Sequence, residues 1–279
     1  TATNVELKVI IKNNGNPIEN IPISLFNNDQ LIAKTSVEID KETNTTFSLP
    51  ANEVINGKIT LNDANLQFDN TLFFNINNTS KVNVLAINAT DDSFLKHIYT
   101  DDEFNYNSTP ENQLNYNLLD SQNLIILNEL NTIPNALIDA LKEFTDQNGT
   151  VIIIPSKNII KPSYNEFLNK FQANFNGLIE TEKRITTINY SHPLYSNGVF
   201  EKQVINFQYP KVNSFYNTNL NNSSSVLKFE DDKPFLFQNN NIYVFASALN
   251  TENSNFKNSP LIVPTLYNIG KNSFKIPEL

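Results

Sequence analysis

His192-Pro193-Leu194-Tyr195 is the stretch of this 279-residue chain best suited to a reactive group. An imidazole can serve as a general base at neutral pH when a carboxylate or amide orients it. If the segment faces the carboxyl ends of neighbouring strands, Glu129 or Asp92 would be its partner. Asn88, Asn128, Glu129, Ser156 and His192 would then form one polar crevice able to hold a small ligand. The competing expectation is a packed histidine, hydrogen-bonded to backbone and opening a turn before Pro193. Ser156 and Ser163 follow strand ends, but neither sits in the G-x-S-x-G elbow that exposes a nucleophilic serine. The other histidine, His97, falls beside Lys96 on the surface of a helix.

Composition narrows the chemistry further. The chain has no Cys, which excludes thiol nucleophiles, disulfides and thiolate metal sites. Its six glycines are too dispersed for a G-x-G-x-x-G or Walker-type phosphate loop. No metal-ligand spacing is present; Asp63, Asp69 and Asn70 invite a calcium reading but read better as turn residues. A net charge of −9 with Arg184 as the only arginine argues against a nucleic-acid partner. No cofactor is implied. Asn accounts for 50 of the 279 residues and takes turn positions where other chains use Gly, Asp or Ser. The Asn-x-Ser/Thr triplets at Asn44, Asn78, Asn107 and Asn148 follow from that abundance.

The elements that would position such a crevice centre on Asn123–Pro155. Leu124–Leu127 and Val151–Ile154 are short continuous apolar runs, the pattern of strands covered on both faces. Between them Ile133, Leu137, Leu141 and Phe144 recur at helical spacing, with Pro134 near the helix start and Gly149 at the expected C-terminal cap. Strand, helix and strand make a right-handed βαβ crossover. Its carboxyl ends, where open α/β sheets place their sites, carry Asn128-Glu129 and Pro155-Ser156.

Residues 1–79 read as an all-β immunoglobulin-like sandwich, with strands at Val5–Ile11, Ile21–Leu25, Gln30–Ile39, Thr45–Leu49, Gly57–Leu61 and Leu72–Ile76. Asn77–Lys81 is the boundary. Residues 80–279 read as a flavodoxin-like α/β domain that starts with a strand at Val82–Ile87 and a helix through Phe94–Tyr99. Glu103–Asn107 reads as a second strand and Gln113–Asp120 as a polar loop or short helix, and Ser163–Phe175 adds another helix. A β-rich extension follows, with strands at Arg184–Asn189, Val204–Tyr209, Ser225–Glu230, Pro234–Gln238 and Ile242–Ala246 before a closing helix at Ser259–Gly270. The longest apolar runs are far short of the roughly 20 residues that a membrane helix needs. Thr1 is not an initiator residue, so the chain reads as an excised or processed segment.

Several stretches together resemble one family. They are Lys81-Val-Asn-Val-Leu-Ala-Ile-Asn, Asn123-Leu-Ile-Ile-Leu-Asn-Glu-Leu, His192-Pro-Leu-Tyr, Asn206-Phe-Gln-Tyr-Pro and the segment Ser254–Gly270. Asp63-Ala-Asn-Leu-Gln-Phe-Asp-Asn-Thr resembles the end of the leading sandwich. The pattern looks like the extracytoplasmic region of Bacteroidetes membrane proteins carrying a BatA (aerotolerance regulator) domain. The α/β part of such proteins resembles class I glutamine amidotransferases. That enzyme family places a Cys at the turn after the strand equivalent to Leu124–Leu127; here the turn is Asn128-Glu129, and amidotransferase activity does not carry over.

The resemblance implies a membrane anchor outside this segment, a location on the periplasmic side of the inner membrane, and other envelope proteins as partners. The expectation is therefore a non-catalytic interaction or scaffold module, in stress or aerotolerance assembly, and not an enzyme. The alternative is a degenerate hydrolase or small-ligand-binding domain using the crevice at the strand ends.

Overall fold

The computed structural model describes residues 4–50, 53–62, 70–76, 81–195, 208–221 and 223–274. The chain divides into two compact units, Thr1–Ser80 and Lys81–Leu279. Asp63 and Asp69, the Asn77–Ser80 part of the boundary, Val199-Phe200, and Val204–Phe207 of one expected strand lie outside the described residues.

In the first unit all six expected strands form: β1 (Asn4–Lys12), β2 (Ile18–Asn27), β3 (Gln30–Ile39), β4 (Glu42–Pro50), β5 (Ile55–Leu61) and β6 (Thr71–Ile76). β1 pairs with β4, and a second antiparallel sheet runs β3-β2-β5-β6. Alternation places Ile21, Ile23 and Leu25 of β2 on one face, where they meet Ile11, Phe47 and Leu49 from the other sheet in a shared core.

The second unit contains β7 (Val82–Asn88), α1 (Ser93–Ile98), β8 (Phe104–Pro110), β9 (Leu124–Asn128), α2 (Asn135–Asp146), β10 (Thr150–Ile154) and α3 (Lys161–Leu168). Then follow β11 (Ala173–Ile179), β12 (Lys183–Ile188), β13 (Lys211–Val212), β14 (Phe215–Leu220), β15 (Ser224–Phe229), β16 (Pro234–Asn239), β17 (Ile242–Phe245) and α4 (Ile262–Asn272). Nine strands form one mixed sheet in the order β13-β12-β15-β16-β17-β10-β9-β7-β8. Its parallel part, β8-β7-β9-β10-β17, has the 2-1-3-4-5 strand order of a flavodoxin-like sheet, whose topological switch falls between β7 and β9.

The runs Leu124–Leu127 and Val151–Ile154 are fully buried because helices cover both faces of this sheet. α2 and α3 pack one core with Leu137, Ile138, Leu141, Phe144, Tyr164 and Phe167. α1 and α4 pack the other with Leu95, Ile98, Leu266 and Ile269. The α4 backbone lies close to its neighbours: a Cβ on Gly270 would meet the Tyr99 ring at 2.7 Å and the Phe104 ring at 2.8 Å.

Three expectations need correction. Ile242–Ala246 belongs to the parallel core as its fifth strand, not to the β-rich extension, because β17 pairs in register with β10 through Val151–Ile242 and Ile153–Val244. The helix expected over Ser163–Phe175 ends at Leu168; a short 3-10 turn and a left-handed Gln172 (φ 51°) lead straight into β11, which pairs with β14. Gly149 is not the left-handed cap of α2. Asn148 takes that conformation (φ 62°), while Gly149 is pressed against the Phe144 ring, where a Cβ would not fit. Gln113–Asp120, read as a polar loop or short helix, is a loop that holds a short 3-10 helix at Tyr116–Leu118.

Candidate functional site

The carboxyl ends of β7, β9, β10 and β17 surround a polar cleft of about 580 Å³. Ala89 and Thr90 enter it from β7, Glu129 and Asn131 from β9, and Ser156, Lys157 and Asn158 from β10. Glu180 after β11, Asn213-Ser214 before β14, and Asn250, Glu252 and Asn253 after β17 complete the wall. This is where the end of a parallel sheet leaves backbone groups and loop side chains facing outward.

Glu129 is the residue on which the cleft turns. It follows β9 with φ 55°, a left-handed conformation that residues other than Gly, Asn and Asp seldom adopt without tertiary constraint. Six of the eight described non-glycine residues with such a φ are Asn or Asp; Glu129 and Gln172 are the exceptions. Its N–H donates to the Ile154 carbonyl at 2.8 Å. The residue is only 5% exposed. Its Oε1 accepts the backbone N–H groups of Leu249 (2.9 Å) and Asn250 (2.7 Å), and Oε2 accepts Asn250 Nδ2 (2.7 Å). The turn after β9 thus carries a carboxylate bound to a loop 120 residues away.

Buried tyrosines hold the walls. The Tyr164 hydroxyl donates to the Leu130 carbonyl at 2.6 Å, fixing the segment after Glu129. The Tyr216 hydroxyl donates to the Lys157 carbonyl (2.6 Å) and accepts the Ile159 N–H (3.2 Å), fixing the loop after β10. Ser156 Oγ donates to Asn131 Oδ1 at 2.8 Å and accepts the Asn158 N–H, so its hydroxyl is spent on the loop. Lys157 pairs with Glu180 at 2.7 Å, which raises the lysine pKa and lowers that of the carboxyl. Burial pulls the Lys257 ammonium down, while the charges of Glu129 and Asp91 pull it up. Its Nζ lies 4.1 Å from the centre of the Phe94 ring.

Of the five residues read from sequence, Glu129 and Ser156 line the cleft. Asn88 and Asn128 sit beside it at the switch point, paired across β7 and β9, with Asn128 Nδ2 donating to Asn88 Oδ1 at 2.9 Å. Asn88 Nδ2 reaches Ser108 Oγ, and Asp92 accepts the Tyr106 hydroxyl at 2.8 Å and the Lys96 ammonium at 3.0 Å. Burial pushes the Asp92 carboxyl up, but the hydrogen bonds from Ser108, Tyr106 and Lys96 and the lysine charge outweigh it and hold its pKa low. Asn128 Oδ1 is buried with no hydrogen-bond partner among the described residues.

His192 does not join them. It lies near Gln238 of β16, and Pro193 shares a hollow with Thr150 and Asn241, at the amino edge of β10 and β17. A five-residue strand separates that edge from the cleft, roughly 15 Å at the rise of a β-strand. No partnership with Glu129 across that distance is possible. The residue is 3% exposed and its Nδ1 accepts the Leu194 N–H at 3.3 Å, the packed, turn-forming arrangement. Burial lowers its pKa, opposed by a hydrogen bond with Gln238. Sequence reasoning missed Asn250 and Asn253, which organise the far wall; their spacing carries no signal that distinguishes them from the chain's other asparagines.

Among the described residues no group of three His, Asp or Glu side chains is placed to hold a metal ion, and no helix is long and apolar enough to cross a membrane.

The second unit is thus an α/β sheet of flavodoxin-like order with a polar cleft at its switch-point edge. No family model matches the sequence, and no curated protein does. Solved structures similar to it include a GMP synthase-type protein of Thermoplasma acidophilum, at 10% identity and TM-score 0.46 over 70% of this chain and 94% of that one. A ThuA-like protein of Bacteroides uniformis is similar at 14% identity and TM-score 0.47, over 68% and 89%. A glutamine amidotransferase of Thermotoga maritima is similar at 11% identity and TM-score 0.39, over 60% and 75%.

Proposed function

We propose that this chain is a non-catalytic interaction module of a membrane-anchored envelope protein, exposed on the periplasmic side of the inner membrane. In this reading its first unit is an immunoglobulin-like sandwich, and its second is an amidotransferase-like domain that has lost its nucleophile. The single observation that supports it best is the state of Glu129. The residue at the elbow is a carboxylate clamped by three N–H donors, and the neighbouring Ser156 hydroxyl is bonded to Asn131. A nucleophile needs a free lone pair aimed at substrate and a base within reach; neither group has both. The BatA-domain resemblance supports the envelope location and a role in stress or aerotolerance assembly.

The test is direct. Purified protein should release no ammonia from glutamine and hydrolyse no activated ester above the buffer rate. Hydrolysis that disappears in Glu129→Ala or His192→Ala would overturn the reading. Cell fractionation should place the full-length protein in the inner membrane, with this segment open to protease added to the periplasm. Recovery in the cytoplasm would refute the location.

The cleft itself favours a second reading, a small-ligand site in a degenerate hydrolase. Its volume of about 580 Å³ falls within the range of ligand pockets, although its lining is polar where such pockets are mostly apolar.

A further inference from the structure

The donors around Glu129 have an arrangement of their own. Two successive backbone N–H groups, of Leu249 and Asn250, converge on one carboxylate oxygen, and Asn250 Nδ2 meets the other. Successive amides that point to one side make an anion-binding concavity. Bonds that do not involve Glu129 hold this one open. Asn250 Oδ1 accepts the Asn253 N–H at 3.1 Å, and the Asn250 carbonyl accepts the N–H groups of Asn253 (3.1 Å) and Ser254 (2.9 Å). The buried Asn253 amide then ties the turn to the Ser214 and Ala248 carbonyls, both at 3.0 Å, and to Ser247 Oγ at 2.8 Å. The Asn253 Oδ1 accepts Ser214 Oγ at 2.7 Å. The cradle is therefore preorganised, and its open side faces the cleft, which Glu129 and Asn250 both line.

We propose that the Leu249–Asn250 turn is a carboxylate receptor in its own right, filled in the native protein by Glu129 and able to take a small monocarboxylate when that side chain is withdrawn. The ligand class follows from the donor set. Two N–H groups on one oxygen and a third on the other match a planar, two-oxygen anion. The backbone at residue 129 supports the same conclusion, because a φ of 55° is one that glycine adopts without strain. Replacing Glu129 by glycine thus empties the cradle while leaving the elbow its conformation. In the native protein the occupied cradle also disfavours acidic ligands at this turn, since a second carboxylate would meet the charge of Glu129 with all three cradle donors already engaged.

The test uses Glu129→Gly in the whole chain, with calorimetric midpoints compared in sodium acetate and sodium chloride at equal concentration, about 0.3 M, enough to load a weak site. Acetate should raise the variant's midpoint over chloride by roughly 2–4 °C, saturably, for a unit of this size. Wild type and Glu129→Gln, whose cradles stay filled, should show no such difference. Equal midpoints in the two salts for Glu129→Gly, or an equally large acetate effect in wild type, would overturn the proposal. Should Glu129→Gly not fold in chloride, the readout is its refolded yield, which should be higher in acetate; equal yields refute the idea. The outcome is separate from the non-catalytic reading, which stands or falls on the activity of the wild-type chain.

Discussion

Replacing Glu129 by glutamine alters one oxygen and tests the reasoning about the elbow. The two backbone donors, Leu249 and Asn250, both need an acceptor, so the glutamine carbonyl must take the Oε1 position. Its Nε2 then faces Asn250 Nδ2 across a gap that is 2.7 Å in the native protein, donor against donor. Asn250 cannot turn its amide over without giving up the bond from the Asn253 N–H to its Oδ1. Hydrogen bonds to a charged group contribute about 1.5–3 kcal/mol and neutral ones about 0.5–1.5 kcal/mol. Weakening two such bonds and losing a third therefore costs about 2–4 kcal/mol, allowing for their coupling within one network. For a unit of this size that lowers the unfolding midpoint by roughly 4–16 °C. Differential scanning calorimetry of the whole chain, which reports the transition of each unit, is the appropriate assay. The first unit's transition should not move. A second-unit midpoint within about 1 °C of wild type would show that the Glu129 contacts carry no net stabilisation, contrary to the reasoning.

The remaining predictions concern the far edge and the helix layer. Because burial holds the His192 pKa below its ordinary 6.5, the neutral ring is the form that the fold prefers. Its contribution is complete above that value and is lost as pH falls from 6.5 through the lower folded pKa, since the unfolded chain then binds the additional proton. Denaturation curves at about pH 7.5 and pH 5 should show a larger loss for wild type than for His192→Asn; equal slopes would refute the assignment. Gly270→Ala should destabilise the second unit by about 1–3 kcal/mol, because the new methyl has no room against the ring edges of Tyr99 and Phe104. An unchanged midpoint in urea denaturation would mean that α4 moves away at no cost.

Local chemistry, readable in the sequence, determined most of the elements. Leu124–Leu127 and Val151–Ile154 are uninterrupted runs of large apolar residues, and such runs are stable only as strands covered on both faces. The period-two pattern in Ile21, Ile23 and Leu25 left one face to bury and one to expose. The abundance of Asn pointed to left-handed turns, and Asn28, Asn148 and Asn240 adopt them, while Asn20 takes the same conformation at an irregularity within β2. The lack of cysteine and of clustered glycines removed whole classes of chemistry before any fold was considered.

Tertiary structure alone decided where the polar groups meet. Ile242–Phe245 has the same apolar character as a strand of the antiparallel extension, and only its pairing with β10 makes it the fifth strand of the core. That pairing sets the turn after β17 beside the elbow and so brings Leu249 and Asn250 to Glu129. It also leaves His192 beside β16, at the opposite edge of the sheet. The physical reason is that propensity and periodicity act over a few residues, whereas strand order and register are settled by which apolar faces can be buried together. A carboxylate and its donors 120 residues apart share no local signal; the sheet that packs between them is what makes them neighbours.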